Sequence, residues 1–192
     1  GERNADRSSH DRMEKTMTRY MEDNLELPLK EVLAVMQGRI MRETSYFGIR
    51  THKNPLDFWI YQEIIWERKP SVLIEIGTKF GGSTLALAHL FDLIGEGRVI
   101  GLDIAQECIP GMVRSHPRIT LLEGDACERF QDIQSLIEPG DRVMVIEDSS
   151  HTYENTLNVL ETYSPLIAPG DYLVVEDSIC RHGLDIGGEK GP

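Results

Sequence analysis

From Ser71 onward the sequence alternates short apolar runs with segments of helical periodicity, and this alternation constrains the fold more than any other feature. The apolar runs predict buried β-strands at residues 71–77, 98–103, 118–125, 142–148 and 171–177. Apolar residues at helical spacing predict helices at 83–94, 130–137 and 154–167. Continuous apolar strands that alternate with helices are typical of a parallel sheet covered on both faces. We therefore predict a doubly wound, Rossmann-like α/β domain over residues 71–192.

The residues before this domain predict a tail and a helical segment. Residues 1–12 are polar and have no periodicity, which predicts a flexible tail. Residues 13–70 are expected to form N-terminal helices that pack on the sheet, at 29–37 and 55–69, with a loop at 42–54. Asn54 and Pro55 suit the cap and first turn of the second helix.

Composition excludes several classes of partner. The formal net charge is −12, from 32 acidic and 20 basic residues, which argues against nucleic acid and anionic membranes as partners. The 3 cysteines form no C-x-x-C pair, so a reducing, cytoplasmic setting is expected. No apolar run approaches the roughly 18 to 20 residues that span a bilayer. We expect a protein that is neither secreted nor anchored, with a small-molecule ligand.

A glycine-rich turn follows the first predicted strand, where ligands of such sheets bind. Lys79 interrupts the dinucleotide fingerprint G-x-G-x-x-G, and the phosphate-loop ending G-K-[ST] is absent. The turn and its acids instead resemble the S-adenosylmethionine site of class I methyltransferases, which share E-x-G-x-x-x-G and an acid that ends strand two. The predicted cofactor-binding residues are Glu75, Gly77, Thr78, Gly81, Gly82, Ser83, Asp103, Asp125 and Ala126. The alternative is a structural turn, with acids that only cap the next helix.

Three acids follow the fourth and fifth predicted strands: Asp148, Glu176 and Asp177. Neighbouring parallel strands would bring these carboxylates to one edge of the sheet, where a hard cation such as Mg²⁺, Ca²⁺ or Mn²⁺ would relieve their repulsion. Because side chains alternate along a strand, Glu147 and Asp148 should face opposite sides. His151 could accept a proton from a substrate hydroxyl, or it could merely cap or pack.

Four stretches together resemble the cephalosporin hydroxylase/rhamnosyl O-methyltransferase family. They are "KNPLDFWIYQEII", "IEIGTKFGGSTL", "IEDSSHTYENTLNVLETYSPLIAPGDYLVVEDS" and "HGLDIGGEKGP", within residues 50–192. The resemblance implies a metal-dependent S-adenosylmethionine methyltransferase. It also implies metal ligation by Asp148, Glu176 and Asp177, with His151 as general base. Ser150 stands where some relatives have Asp.

The main functional hypothesis is a Mg²⁺-dependent O-methyltransferase that acts on a hydroxyl of a sugar or other natural product in secondary metabolism, such as antibiotic biosynthesis.

A class I methyltransferase usually continues into an antiparallel strand pair, whereas this chain stops at Pro192. We therefore expect the C-terminal strands to be missing, through truncation or replacement by a partner. One alternative is a non-catalytic cofactor-binding scaffold in a two-component hydroxylation or methoxylation pathway. An oxidative function is disfavoured, because no site of two histidines and one carboxylate is evident. An apolar face on the N-terminal helices would favour a homo-oligomer.

Overall fold

A computed structural model describes residues 26, 28, 31–32 and 43–178 of the chain. The predictions for the tail at 1–12, for most of the helix at 29–37 and for the stretch at 182–192 lie outside the described residues. Helices and strands are numbered below in chain order within the described part.

A short β-hairpin precedes the main domain, where the sequence predicted a loop. Strand β1 (Ser45–Tyr46) pairs antiparallel with β2 (Ile49–Arg50). The two turn residues, Phe47 and Gly48, have φ angles of 48° and 81°, as a two-residue hairpin turn of this hand requires. The loop prediction was wrong because strands of two residues carry no readable periodicity.

Helix α1 (Pro55–Arg68) agrees closely with its prediction. The Asn54 side chain accepts a hydrogen bond from the Leu56 backbone at 3.1 Å, and Lys69 ends the helix in a left-handed conformation. The buried face is carried by Tyr61 and Ile65. Several large apolar side chains of the helix stay exposed instead: Leu56, Trp59, Ile60 and Trp66.

The central sheet has five parallel strands in the order β5-β4-β3-β6-β7. These strands are β3 (Val72–Ile76), β4 (Arg98–Asp103), β5 (Ile119–Glu123), β6 (Val143–Glu147) and β7 (Leu173–Val175). The connecting helices are α2 (Gly82–Ile94), α3 (Gly111–Arg114), α4 (Phe130–Ser135) and α5 (Tyr153–Tyr163), the last followed by a 3₁₀ turn at Ser164–Leu166. The predicted parallel α/β architecture is confirmed, and α3 is an addition that the sequence did not predict.

Helices cover both faces of the sheet, so the core has two layers. Leu73 packs with α1 and α2 on one face, and its neighbour Ile74 packs with α4 and α5 on the other. Both side chains are fully buried, which explains why the strands read as continuous apolar runs. Helix α1 belongs to the same layer as α2. The domain division at residue 70 stays a prediction.

The crevice for a ligand lies between the carboxyl ends of β3 and β6. The chain passes from β3 to β4 on one side, whereas β6 lies on the other side of β3, so the direction of winding reverses between them. Gly77 follows β3 and Asp148 follows β6 at this point.

None of the helices in the described part of the chain combines the length and the apolar character that a bilayer crossing requires.

Candidate active site

The glycine turn after β3 approaches two other backbone segments closely. Gly77 has a φ of 99°, and a Cβ atom there would collide with the carbonyl oxygen of Asp148. A Cβ atom on Gly82 would lie 2.7 Å from the carbonyl oxygen of Ile49 in the hairpin. These glycines therefore have a packing requirement in addition to any ligand that the turn binds.

Glu75 and Thr78 present buried polar atoms at the turn. Glu75 is fully buried, and its Oε2 accepts a hydrogen bond from the Thr84 hydroxyl at 2.5 Å. Within the described residues, neither Glu75 Oε1 nor the buried Thr78 hydroxyl has a hydrogen-bond partner. Burial raises the pKa of Glu75, and the attraction of Lys53 opposes the shift. Unpartnered buried polar atoms are costly, so both atoms are suited to meet polar groups of a ligand.

Asp103 and Asp125 end neighbouring segments beside the turn and both bind backbone. Asp103 Oδ2 accepts a hydrogen bond from the Lys79 amide at 2.6 Å, so it fastens the glycine turn to the end of β4. Asp125 Oδ1 accepts hydrogen bonds from the Cys127 and Glu128 amides at 2.8 and 3.1 Å, as a capping residue does. Contact with a cofactor stays a prediction for both.

Asp148 and Glu176 lie on one side of the sheet and share a buried ammonium group. Lys53 Nζ is 2.5 Å from Asp148 Oδ2 and also contacts Glu176 Oε1. The Tyr61 hydroxyl donates to the same Glu176 oxygen at 2.5 Å. The Lys53 side chain is 4% exposed, so this ion pair is shielded from water. Burial would lower the pKa of Lys53, but the attraction of Asp148 and Glu176 outweighs it and raises the pKa.

Asp177 and His151 complete the cluster from the two loops that follow. Both residues have positive φ angles, 55° for Asp177 and 51° for His151, so each lies where the chain turns out of its strand direction. His151 Nε2 is 3.3 Å from Asp177 Oδ2 and 3.7 Å from Asp148 Oδ1. Ligand-type atoms of Asp148, His151 and Asp177 lie within 4.8 Å of one another, a spacing that could hold a metal ion.

The cluster holds more carboxylates than ammonium groups. Burial, together with the repulsion of Glu176, raises the pKa of Asp148 to about 7 against the attraction of Lys53. One ammonium group is shared between two carboxylates, with Asp177 nearby. An additional cation at the edge of the sheet would therefore relieve the remaining repulsion.

Glu147 faces the opposite side of the sheet from Asp148, as the alternation of side chains predicted. It is fully buried, and its Oε1 accepts hydrogen bonds from the Ser149 hydroxyl and from Asn155 Nδ2, the latter at 3.3 Å. These partners place it at the start of α5. The two Glu-Asp pairs of the sequence are therefore not equivalent, because Glu176 shares Lys53 with Asp148 whereas Glu147 does not.

Two of the three predicted metal ligands, Asp148 and Asp177, lie together with His151. One oxygen of the third, Glu176, accepts hydrogen bonds from Lys53 and Tyr61 instead. Lys53 and Tyr61 were not among the predicted site residues. Lys53 lies in the predicted loop at 42–54, and Tyr61 lies within the predicted helix at 55–69. The excess of acids did signal a missing cation, but the sequence did not show that a lysine supplies part of it.

Two histidines and one carboxylate also lie together, at the opposite edge of the sheet. His89 and Asp92 on α2 and His116 before β5 place ligand-type atoms within 4.8 Å of one another. The expectation from the sequence that no such group is present was therefore wrong. Both oxygens of Asp92 are bonded, Oδ2 to His116 at 3.0 Å and Oδ1 to Arg118 at 2.7 Å. The cluster thus ties the loop before β5 to α2, and it gives no support to the oxidative hypothesis.

Comparison with known proteins identifies the family. A family model described as Rhamnosyl O-methyltransferase/CmcI matches residues 38–186. A rhamnosyl O-methyltransferase of Mycobacterium tuberculosis is 35% identical over 159 residues, which is 80% of this chain and 64% of that protein. The corresponding protein of Mycobacterium leprae is 34% identical over 145 residues, 72% of this chain and 62% of that protein. The chain thus spans less than two thirds of the length of these relatives.

Solved structures show the same fold. CmcI in a Mg-SAM form is 28% identical, with a TM-score of 0.59 over 71% of this chain and 58% of that chain. An O-methyltransferase from Bacillus cereus in complex with SAH is 21% identical, with a TM-score of 0.56 over 83% of this chain and 71% of that chain. The second likeness bears on the fold alone.

Proposed function

The chain belongs to the rhamnosyl O-methyltransferase/CmcI family, and on that premise we propose that it acts as an S-adenosylmethionine-dependent O-methyltransferase. The acceptor is a hydroxyl of a sugar or another natural product, and the reaction depends on Mg²⁺. The names of the mycobacterial relatives support the sugar acceptor, and the Mg-SAM form of CmcI supports the two cofactors. A role in secondary metabolism is part of the same proposal.

One observation carries the proposal: the candidate donor site and the candidate cation site touch. Gly77 of the glycine turn lies against the backbone of Asp148, close enough that no Cβ atom fits between them. The Asp148 amide in turn donates to the Ile76 carbonyl at 2.8 Å. A methyl donor at the turn and a cation at the carboxylates would therefore be neighbours, as transfer to a cation-bound hydroxyl requires.

The residues at the turn fit the cofactor. S-adenosylmethionine, when bound, supplies an electrophilic methyl group on a sulfonium centre. Glu75 and Thr78 offer buried polar atoms that lack partners in the described part of the chain, and such atoms can bind the polar end of a ligand. Asp103 is placed at the end of β4, where an acid of this fold binds a ribose.

The carboxylates fit a hard divalent cation. Asp148, Glu176 and Asp177 supply oxygen ligands, the donor type that Mg²⁺ prefers. A bound Mg²⁺ lowers the pKa of a hydroxyl that it contacts. His151 would then accept the hydroxyl proton at Nε2, the ring nitrogen that faces Asp148 and Asp177.

The proposal is tested by calorimetry with S-adenosylhomocysteine and Mg²⁺, followed by a methyl-transfer assay on sugar acceptors. We expect both ligands to bind. His151→Ala should abolish transfer and leave S-adenosylhomocysteine affinity intact, whereas His116→Ala, at the opposite edge of the sheet, should retain transfer. Absence of S-adenosylhomocysteine binding would refute the proposal. A His151→Ala variant that loses Mg²⁺ affinity instead would make this histidine a metal ligand.

A further inference from the structure

Lys53 reaches the candidate cation site from outside the sheet. It precedes α1, and 123 residues separate it from Glu176, whose Oε1 it contacts. Its ammonium also binds Asp148 Oδ2 at 2.5 Å, so one cation joins the ends of two neighbouring strands. Neither the family match nor the names of the relatives assigns a role to this lysine.

Each of the two carboxylates has one oxygen held in this way. Asp148 Oδ2 is on Lys53, which leaves Oδ1 facing His151 Nε2 at 3.7 Å. Glu176 Oε1 takes both Lys53 and the Tyr61 hydroxyl. Within the described part of the chain, its second oxygen, Oε2, has no such partner. Hydrogen bonds to one oxygen of a carboxylate fix the direction in which the other oxygen points.

We propose that Lys53 and Tyr61 are positioning residues of the cation site, and this inference rests on the proposed Mg²⁺ dependence. They hold one oxygen each of Asp148 and Glu176, so that Oδ1 and Oε2 are directed toward the ion. Lys53 also offsets one negative charge of the three acids, Asp177 included. The remaining excess of two charges equals the charge of one divalent ion.

A different role for Lys53 predicts the opposite result. If the ammonium merely substitutes for the metal ion, its removal frees two carboxylate oxygens and strengthens Mg²⁺ binding. If it positions the carboxylates, its removal lets them separate and weakens Mg²⁺ binding. The sign of the change in Mg²⁺ affinity therefore decides between the two roles.

Mg²⁺ affinity of the full chain is measured by calorimetry for Tyr61→Phe and Lys53→Met. Tyr61→Phe removes one hydrogen bond to Glu176 without a change of charge. We expect each substitution to weaken Mg²⁺ binding, by roughly 10- to 100-fold for Lys53→Met and less for Tyr61→Phe. S-adenosylhomocysteine affinity should stay within about twofold, because the glycine turn is unchanged.

Matched controls are available in the same chain. Lys69→Met removes an exposed lysine at the end of α1, and Tyr163→Phe removes a buried hydroxyl that binds the Ala126 carbonyl on the other face of the sheet. Both controls should bind Mg²⁺ as the unmodified protein does. Lys53→Arg keeps the charge and should recover part of the affinity. Methyl transfer by Lys53→Met should recover at high Mg²⁺ concentration, which a loss of folding would not permit.

Unchanged or tighter Mg²⁺ binding by Lys53→Met overturns the inference, as does unchanged binding by Tyr61→Phe. If Lys53→Met does not fold, Tyr61→Phe decides the matter alone, since it leaves every charge in place. The Mg²⁺ titration needs no methyl donor. Failure of this inference is therefore distinct from failure of the proposed function, which shows as absent S-adenosylhomocysteine binding.

Discussion

Substitution of Gly77 tests the contact that joins the two halves of the candidate site. Gly77→Ala meets two costs: a φ of 99°, which side chains other than glycine rarely adopt, and a collision with the Asp148 carbonyl. The control is Gly95→Ala, where φ is 95° but nothing lies within 4 Å of the added Cβ atom. Both variants carry the backbone strain, but only Gly77→Ala also meets the collision.

The magnitudes follow from these two costs. A residue held in a sparsely populated backbone region costs of order 1–3 kcal/mol, and this applies to both variants. Overpacking adds typically about 1–3 kcal/mol, and here the obstacle is backbone, which cannot rotate away. We therefore expect Gly77→Ala to lose about 1–3 kcal/mol more unfolding free energy than Gly95→Ala. The collision also pushes on the strand end that carries Asp148, so Mg²⁺ affinity should fall in Gly77→Ala alone.

Urea denaturation of the two variants gives the difference in unfolding free energy, and calorimetry gives their Mg²⁺ affinities. Equal unfolding free energies of the two variants would show that the turn and the end of β6 move apart without a loss of stability. Unchanged Mg²⁺ binding by Gly77→Ala would show that the two sites are not mechanically linked. Either result refutes the reasoning on which the proposed adjacency of donor and cation depends.

Three further predictions concern single groups. Glu75→Gln keeps the shape and an acceptor for Thr84, so stability should change by less than about 1 kcal/mol, while S-adenosylhomocysteine affinity measured by calorimetry falls about tenfold or more. Because burial raises the pKa of Asp148 to about 7, the folded protein binds a proton there more readily than the unfolded chain. The metal-free protein should therefore lose stability, measured by denaturation, as pH rises toward that value. Mg²⁺ affinity should increase over the same pH range, because Mg²⁺ competes with that proton. Profiles that do not change with pH would contradict this prediction. Tyr163→Phe leaves the Ala126 carbonyl without its partner and should cost about 1–3 kcal/mol in urea denaturation, and a stability equal to that of the unmodified protein would contradict the hydrogen bond.

The sheet could be predicted from the sequence because its strands are buried on both faces. Leu73 and Ile74 face opposite layers and are both apolar, so the strand appears as an uninterrupted run. The hairpin at 45–50 and the four-residue helix α3 could not be predicted, because elements of this length are shorter than the period that would reveal them.

The acids of the candidate site could be predicted because each follows a strand, and parallel strands bring their ends together. Lys53 and Tyr61 could not, since they precede the sheet and meet Glu176 through contacts 123 and 115 residues apart in sequence. The prediction that Glu147 and Asp148 face opposite sides needed only the two-residue period of a strand. Whether Glu176 ligates an ion, as the resemblance implied, stays a prediction.

The alternation of Glu147 and Asp148 has a consequence for how this chain can change during evolution. Substitutions alter one side chain, but insertion or deletion of a single residue within β6 would exchange the faces of every residue after it. Glu147 would then meet Lys53, and Asp148 would be buried against the start of α5. The number of residues in this strand is therefore constrained as strictly as the identity of the acids that follow it.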